Sequence, residues 1–130
     1  MLVLDASTAV RILLDDEGAS ALGDGAAIPG AALVPPNWVA EVVAALARAV
    51  RDRRLSPARA EAVLGLLREA GVQVVDDREP RGALLATALA TGSNAHDAAY
   101  LLLAVEVGAP WATEDAALRR AAERIGVACL

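Results

Sequence analysis

The sequence predicts an α/β fold, a three-layer α/β/α sandwich around a central parallel sheet of four to five strands. Two observations predict it. Short apolar runs alternate along the chain with longer segments whose apolar residues recur at helical spacing, the rhythm of strand and crossover helix. The runs themselves, "LVL" and "ALV" among them, are continuous rather than alternating, as strands buried on both faces are. A length of 130 residues suits one domain with a sizeable core, so residues 1–130 are expected to form a single domain.

The elements follow in order. "LVLD" (2–5) reads as the first strand, and "STAVRILL" (7–14) as a helix with Val10, Leu13 and Leu14 on one face. "AALVP" (31–35) is the second strand. Pro36 opens a helix to about Val50, with Trp38, Val42, Leu46 and Ala49 along its apolar stripe. Ser56 and Pro57 have the chemistry of a helix cap and first turn, and Gly71 that of the stop. "VQVVD" (72–76) is the third strand. Residues 80–91 read as a helix ended by Gly92, and 94–108 as a buried helix ended by Gly108. "PWAT" (110–113) is the fourth strand, "DAALRRAAERIG" (115–126) the last helix and "VACL" a short fifth strand. No linker, internal repeat or low-complexity segment interrupts the series.

Composition narrows the function. Hydrophobic residues make up 56%, yet no apolar run approaches the ~20 residues of a bilayer span. The N-terminus lacks a basic n-region, and Asp5 cuts its apolar stretch short, so the expectation is a soluble, cytoplasmic protein with no membrane partner. Cys129, the single cysteine, has no partner for a disulfide or a zinc site and reads as core filling. All 12 basic residues are Arg, which excludes lysine Schiff-base chemistry and a P-loop lysine. A net charge of −5 disfavours a polyanion at the whole surface. A nucleic-acid substrate would need local Arg clusters or bound cations.

The acids fall in a pattern. In an open parallel sheet, ligands gather at the carboxyl ends of the strands, where strand order reverses. Asp5 ends the first strand, Asp76 and Asp77 the third, and Asp115 follows the fourth. Asp5 and Asp115 each have a second reading as helix caps, with Thr113 the rival cap for the last helix. Asn94 and Asp97 have capping-box spacing, which places Asp97 near the positive end of a helix dipole. Glu41 resists such a reading. It lies on the apolar stripe between Trp38 and Ala45, where an ionised carboxylate needs a partner or a metal. Two carboxylates about 4 Å apart repel by about 4 kcal/mol at an effective dielectric near 20. Four convergent acids therefore imply divalent cations, and all-oxygen ligands suit Mg²⁺ or Mn²⁺ better than zinc.

With these residues in place, the chain resembles the PIN-domain ribonucleases, specifically the VapC-type toxins of toxin–antitoxin pairs. "LVLDAS", "VAEVVAAL", "NAHDAAYLLLA" and "GAPWATEDAALRRAA" look like the four segments that carry the family's acids. The resemblance implies Asp5, Glu41, Asp97 and Asp115 as catalytic metal ligands, with Ser7 and Thr113 as supporting polar residues. It implies a PIN-like fold, Mg²⁺- or Mn²⁺-dependent cleavage of RNA and neutralisation by a small VapB-like antitoxin, while the Ala- and Leu-rich apolar helices suggest a homodimer face. His96 stands where Tyr is frequent, and Arg11 where Lys is often found. Glu114 is expected to point away from Asp115.

Other residues have plainer readings. His96 reads as a surface or cap residue, or as a proton shuttle beside Asp97. "RAVRDRR" (48–54) reads as a solvated helix end or a basic patch. Trp38, Trp111 and Tyr100 are the only aromatics, too few for a stacking platform, and Tyr100 is assigned to the core. A receiver domain is disfavoured by the lack of Lys, a haloacid-type phosphatase by Ser7 where its second acid would stand, and a dinucleotide fold by the lack of GxGxxG. A non-catalytic PIN-like interaction domain is the alternative that keeps the fold.

Overall fold

A computed structural model describes residues 1–14, 32–75 and 82–130. Four parallel strands, β1 (Leu2–Leu4), β2 (Ala32–Val34), β3 (Gln73–Val74) and β4 (Trp111–Ala112), form one sheet in the order β3-β2-β1-β4. Between and after them run α1 (Ala6–Leu14), α2 (Trp38–Arg51), α3 (Pro57–Glu69), α4 (Gly82–Thr91), α5 (Ala95–Val107) and α6 (Ala116–Arg124). Asp76 and Asp77, assigned to the exit of the third strand, lie outside the described residues.

The order of the strands explains the layers. From β1 the chain moves outward through β2 to β3, then returns to the far side of β1 for β4. Right-handed crossovers in opposite directions put their helices on opposite faces. The helices accordingly form two packed groups, α1 with α2 and α3, and α4 with α5 and α6, and α5 lies against β1 and β4. This is the expected three-layer sandwich. Its reversal point falls between β1 and β4.

Burial follows from that order. β1 and β2 are wholly buried, so every residue along them is apolar and their runs do not alternate. β3 is the edge strand, and Gln73 and Val74 are exposed. The fifth strand shrinks to one bridge, Trp111 with Cys129, held by Trp111 N–H to the Ala128 carbonyl (2.8 Å) and Leu130 N–H to the Trp111 carbonyl (3.0 Å). Cys129 packs against the core, as expected, and burial pushes its thiol pKa up.

Helix ends match the sequence closely. The Ser56 side chain accepts from Arg59 N–H at 3.1 Å, with Pro57 in the first turn of α3. Asn94 accepts from Asp97 N–H at 2.9 Å to start α5. Gly108 closes α5 at φ 63°, a left-handed conformation that costs glycine little, and Ala109 N–H then reaches the Ala104 carbonyl at 3.1 Å. α2 starts two residues later than Pro36, at Trp38, and its N-cap Asn37 makes no side-chain capping bond. The amide of Asn37 is used elsewhere.

Candidate active site

Asp5 leaves β1 beside the reversal point. Val3 and Leu4 pair with Trp111 and Ala112, and Asp5 N–H donates to the Ala112 carbonyl at 3.2 Å, so Asp5 is the last residue held by the ladder. The side chain is largely buried, with 7% exposure. Its Oδ2 accepts from the Ser7 hydroxyl, from Thr8 N–H at 3.3 Å and from the Thr8 hydroxyl at 3.4 Å. All three bonds fall on one oxygen. The capping contact is therefore real, and it leaves Oδ1 out of the cap.

Asp115 repeats this division. It is the N-cap of α6, and Oδ1 accepts from Ala117 N–H at 2.8 Å and Leu118 N–H at 3.1 Å, again sparing the second oxygen. Thr113, 1% exposed, accepts from Asp115 N–H at 3.4 Å, while its carbonyl takes a 2.9 Å bond from Arg119 Nε. Thr113 thus steadies the turn rather than capping the helix. Glu114 is engaged by Arg11 of α1.

Glu41 comes from α2. It is 26% exposed, and its contacts identify the partners that its position on the apolar stripe demands. Asn37 Nδ2 donates to Oε1 at 2.8 Å, His96 Nδ1 lies 3.3 Å from the same oxygen, and the Tyr100 hydroxyl donates to Oε2 at 2.5 Å. Burial and the Glu41 carboxylate hold the Tyr100 phenol well above its usual pKa, so it remains a donor at any working pH. Tyr100 in turn stacks on Trp111, with ring centroids 5.7 Å apart. One phenol links α2, α5 and β4.

Asp97, in the first turn of α5, reports the electrostatics of the whole group. Its pKa is raised by partial burial, then by Glu41, Asp5 and Asp115, against a lowering hydrogen bond from Asn94. Each of the other three acids thus acts on Asp97 through space. Asp97 and Asp115 also line one cleft of about 600 Å³ between the α4–α5 turn and α6. Among the described residues, no three His, Cys, Asp or Glu side chains stand in an arrangement that could hold a metal ion. The four acids share a field without making a cage.

Family membership can be stated on the whole chain. The PIN-domain family model matches residues 2–124. The chain belongs to the PIN-domain family. PIN domains are generally nucleases, commonly bind RNA or DNA substrates and generally use divalent metals. Among solved structures, the crystal structure of PAE2754 from Pyrobaculum aerophilum is similar in fold, with TM-score 0.71 and 21% sequence identity over 98% of this chain and 82% of that one. No curated protein matches the chain.

Three residues around the acids of this PIN domain were not assigned to the site from sequence. Asn37 was not singled out, Tyr100 read as core filling, and His96 as a surface or cap residue or a proton shuttle beside Asp97. Signals for two of them were present. A buried Tyr needs a partner for its hydroxyl, and Tyr100 sits one turn beyond Asp97 on α5. Asn37 precedes Glu41 by one turn. For His96 reaching Glu41, 55 positions away in sequence, no local signal exists.

Proposed function

We propose that this PIN domain is a Mg²⁺- or Mn²⁺-dependent endoribonuclease and the toxin of a toxin–antitoxin pair, with Asp5, Glu41, Asp97 and Asp115 as its catalytic acids. The observation that carries this reading is the PIN-domain match over residues 2–124 with Asp97 and Asp115 lining one cleft, and the raised pKa of Asp97, to which burial and the three other acids contribute, agrees with it. Three carboxylates that all act on a fourth, Asp97, are a poor arrangement for stability and a suitable one for holding a cation.

The donor set fits Mg²⁺ or Mn²⁺. These ions take oxygen ligands, and Mg²⁺ usually keeps several waters while one or two carboxylates hold it, so no all-protein cage is needed. The oxygens left outside the caps, Oδ1 of Asp5 and Oδ2 of Asp115, together with the Asp97 carboxylate, are the groups that would hold it. When bound, such an ion supplies a hydroxide from water at neutral pH and charge stabilisation at the phosphate. The chain's own residues supply orientation. Ser7 and Thr8 fix Asp5, Asn37 and Tyr100 fix Glu41, and Thr113 fixes the turn that carries Asp115.

The partners follow from charge. An acidic pocket favours an antitoxin that presents Arg or Lys to it, and the setting of such a pair is the cytoplasm. Purified protein is expected to cut RNA in Mg²⁺ or Mn²⁺, and to lose that activity in EDTA and in Asp5→Asn and Asp97→Asn. Equal cleavage by wild type and both variants would assign the activity to a contaminant. For the toxin role, expression alone should arrest growth and co-expression of a cognate antitoxin should restore it. Growth unaffected in several hosts would contradict that role.

A further inference from the structure

The geometry points to a phosphate-binding subsite beside the acids, with Arg120 as its cation, along which a single-stranded RNA leaves the cleavage site. The inference rests on the nuclease reading and deepens it by naming where the substrate strand runs. The cleft of about 600 Å³ starts at Asp97 and Asp115 and continues between Ser93 and Asn94 on one wall and Arg120 on α6 on the other. That volume lies within the ordinary range of ligand clefts.

The argument turns on which nearby cations are already used. Arg11 is paired with Glu114. Arg119 bonds the carbonyls of Thr113 and Leu130, and Arg124 bonds the Thr91 carbonyl at 2.9 Å, which ties the two walls of the cleft together. Arg120 lines the same cleft, is exposed, and has no hydrogen bond or ion pair among the described residues. It is a guanidinium held on a cleft wall with no partner among the described residues.

A phosphate satisfies such a group best, because the planar fork donates two parallel bonds to it. The net charge of −5 makes a local cation necessary for any polyanion approaching these acids. Arg120 follows the N-cap Asp115 by five positions, a rise of about 7.5 Å along the axis of α6, comparable with one nucleotide step in an extended strand. Arg120 therefore suits the phosphate next to the one being cut. Among the described residues no aromatic lines the cleft, so the contact is to the backbone and carries little sequence preference. An acidic peptide would instead have to lie alongside Asp97 and Asp115, whereas a strand being cut is already there.

The test is binding of a fluorescein-labelled 2′-O-methyl RNA decamer, which resists cleavage, across a salt series. Wild type, Arg120→Ala, Arg120→Lys, Arg120→Glu and the control Arg68→Ala on α3 are compared, with thermal melts to verify folding. Arg120→Ala is expected to melt like wild type, to bind roughly tenfold more weakly and to show a log–log salt slope shallower by about 0.7. Lys should restore part of the affinity, Glu should weaken it further, and Arg68→Ala should match wild type. Unchanged affinity and slope in Arg120→Ala, with wild type still cleaving natural RNA, overturns the subsite and leaves the nuclease reading intact. Loss of an acidic peptide's binding with RNA binding unchanged also overturns it, in favour of a protein partner. A wild type that neither binds nor cleaves RNA defeats the nuclease reading itself.

Discussion

Asp97 carries a cost that its neighbours impose. Its carboxyl pKa is raised in the folded chain by burial and by Glu41, Asp5 and Asp115. A raised acid contributes stability that is fully present below the ordinary Asp pKa of about 4 and is lost as pH rises through the folded value. At neutral pH the charged form is therefore a liability, opposed by the favourable place of an acid near a helix N-terminus. Asp97→Asn should melt at higher temperature than wild type in EDTA at pH 7.5, with the gap closing as pH falls below about 4. Equal melting temperatures across that range would mean that the acids do not interact. Tyr100 acts in the opposite sense, since Tyr100→Phe removes a donor from a carboxylate. A loss of about 1–2 kcal/mol is expected, with kcat falling more than KM rises, because Glu41 is freed to turn. Calorimetry and steady-state kinetics on one preparation would check both.

At the scale of elements, capping leaves each carboxylate an oxygen for a second role. Asp5 and Asp115 are each caps, and each gives one oxygen to the helix while sparing the other. Asp115→Asn keeps a capping oxygen and loses the charge, so it should fold with nearly wild-type stability and be inactive. Asp115→Ala should lose activity and about 1 kcal/mol as well. Ser56→Ala, at the cap of α3, should lose a similar ~1 kcal/mol with activity intact. Urea titrations of the three variants would separate the roles, and equal stabilities of Asp115→Asn and Asp115→Ala would show that the cap contributes nothing.

These elements also show what was legible in the sequence. Capping residues, glycine stops and continuous apolar strands are local signals, and Ser56, Asn94, Gly108 and "LVL" all behave as their chemistry dictates. Glu41 on an apolar stripe correctly announced a need for partners. The identity of those partners was not legible, because Tyr100 and His96 on α5 reach Glu41 on α2 by side-chain contacts between residues more than fifty positions apart, which no local pattern encodes. Whether "VACL" forms a full strand or a single bridge likewise depends on register, which periodicity does not specify.

The whole molecule places two acids at the one point where its sheet reverses direction, and brings the other two from helices on opposite faces. Its described helices include none long and apolar enough to cross a membrane. A chain of net charge −5 with its acids gathered in this way should be stabilised by divalent cations. Mg²⁺ at about a hundred times its Kd should add about 2.7 kcal/mol, visible as a rise in Tm that EDTA reverses and Asp97→Asn diminishes. A rise of equal size in wild type and Asp97→Asn would place the cation elsewhere. The most direct test of the central claim, that these acids form one metal site, is a calorimetric titration of Mn²⁺ into wild type, Asp5→Asn, Asp115→Asn and the double variant. The account predicts that each single change weakens binding about tenfold or more and that the double change costs less than the sum, because both act on one ion. Unchanged Mn²⁺ affinity in both single variants would contradict it.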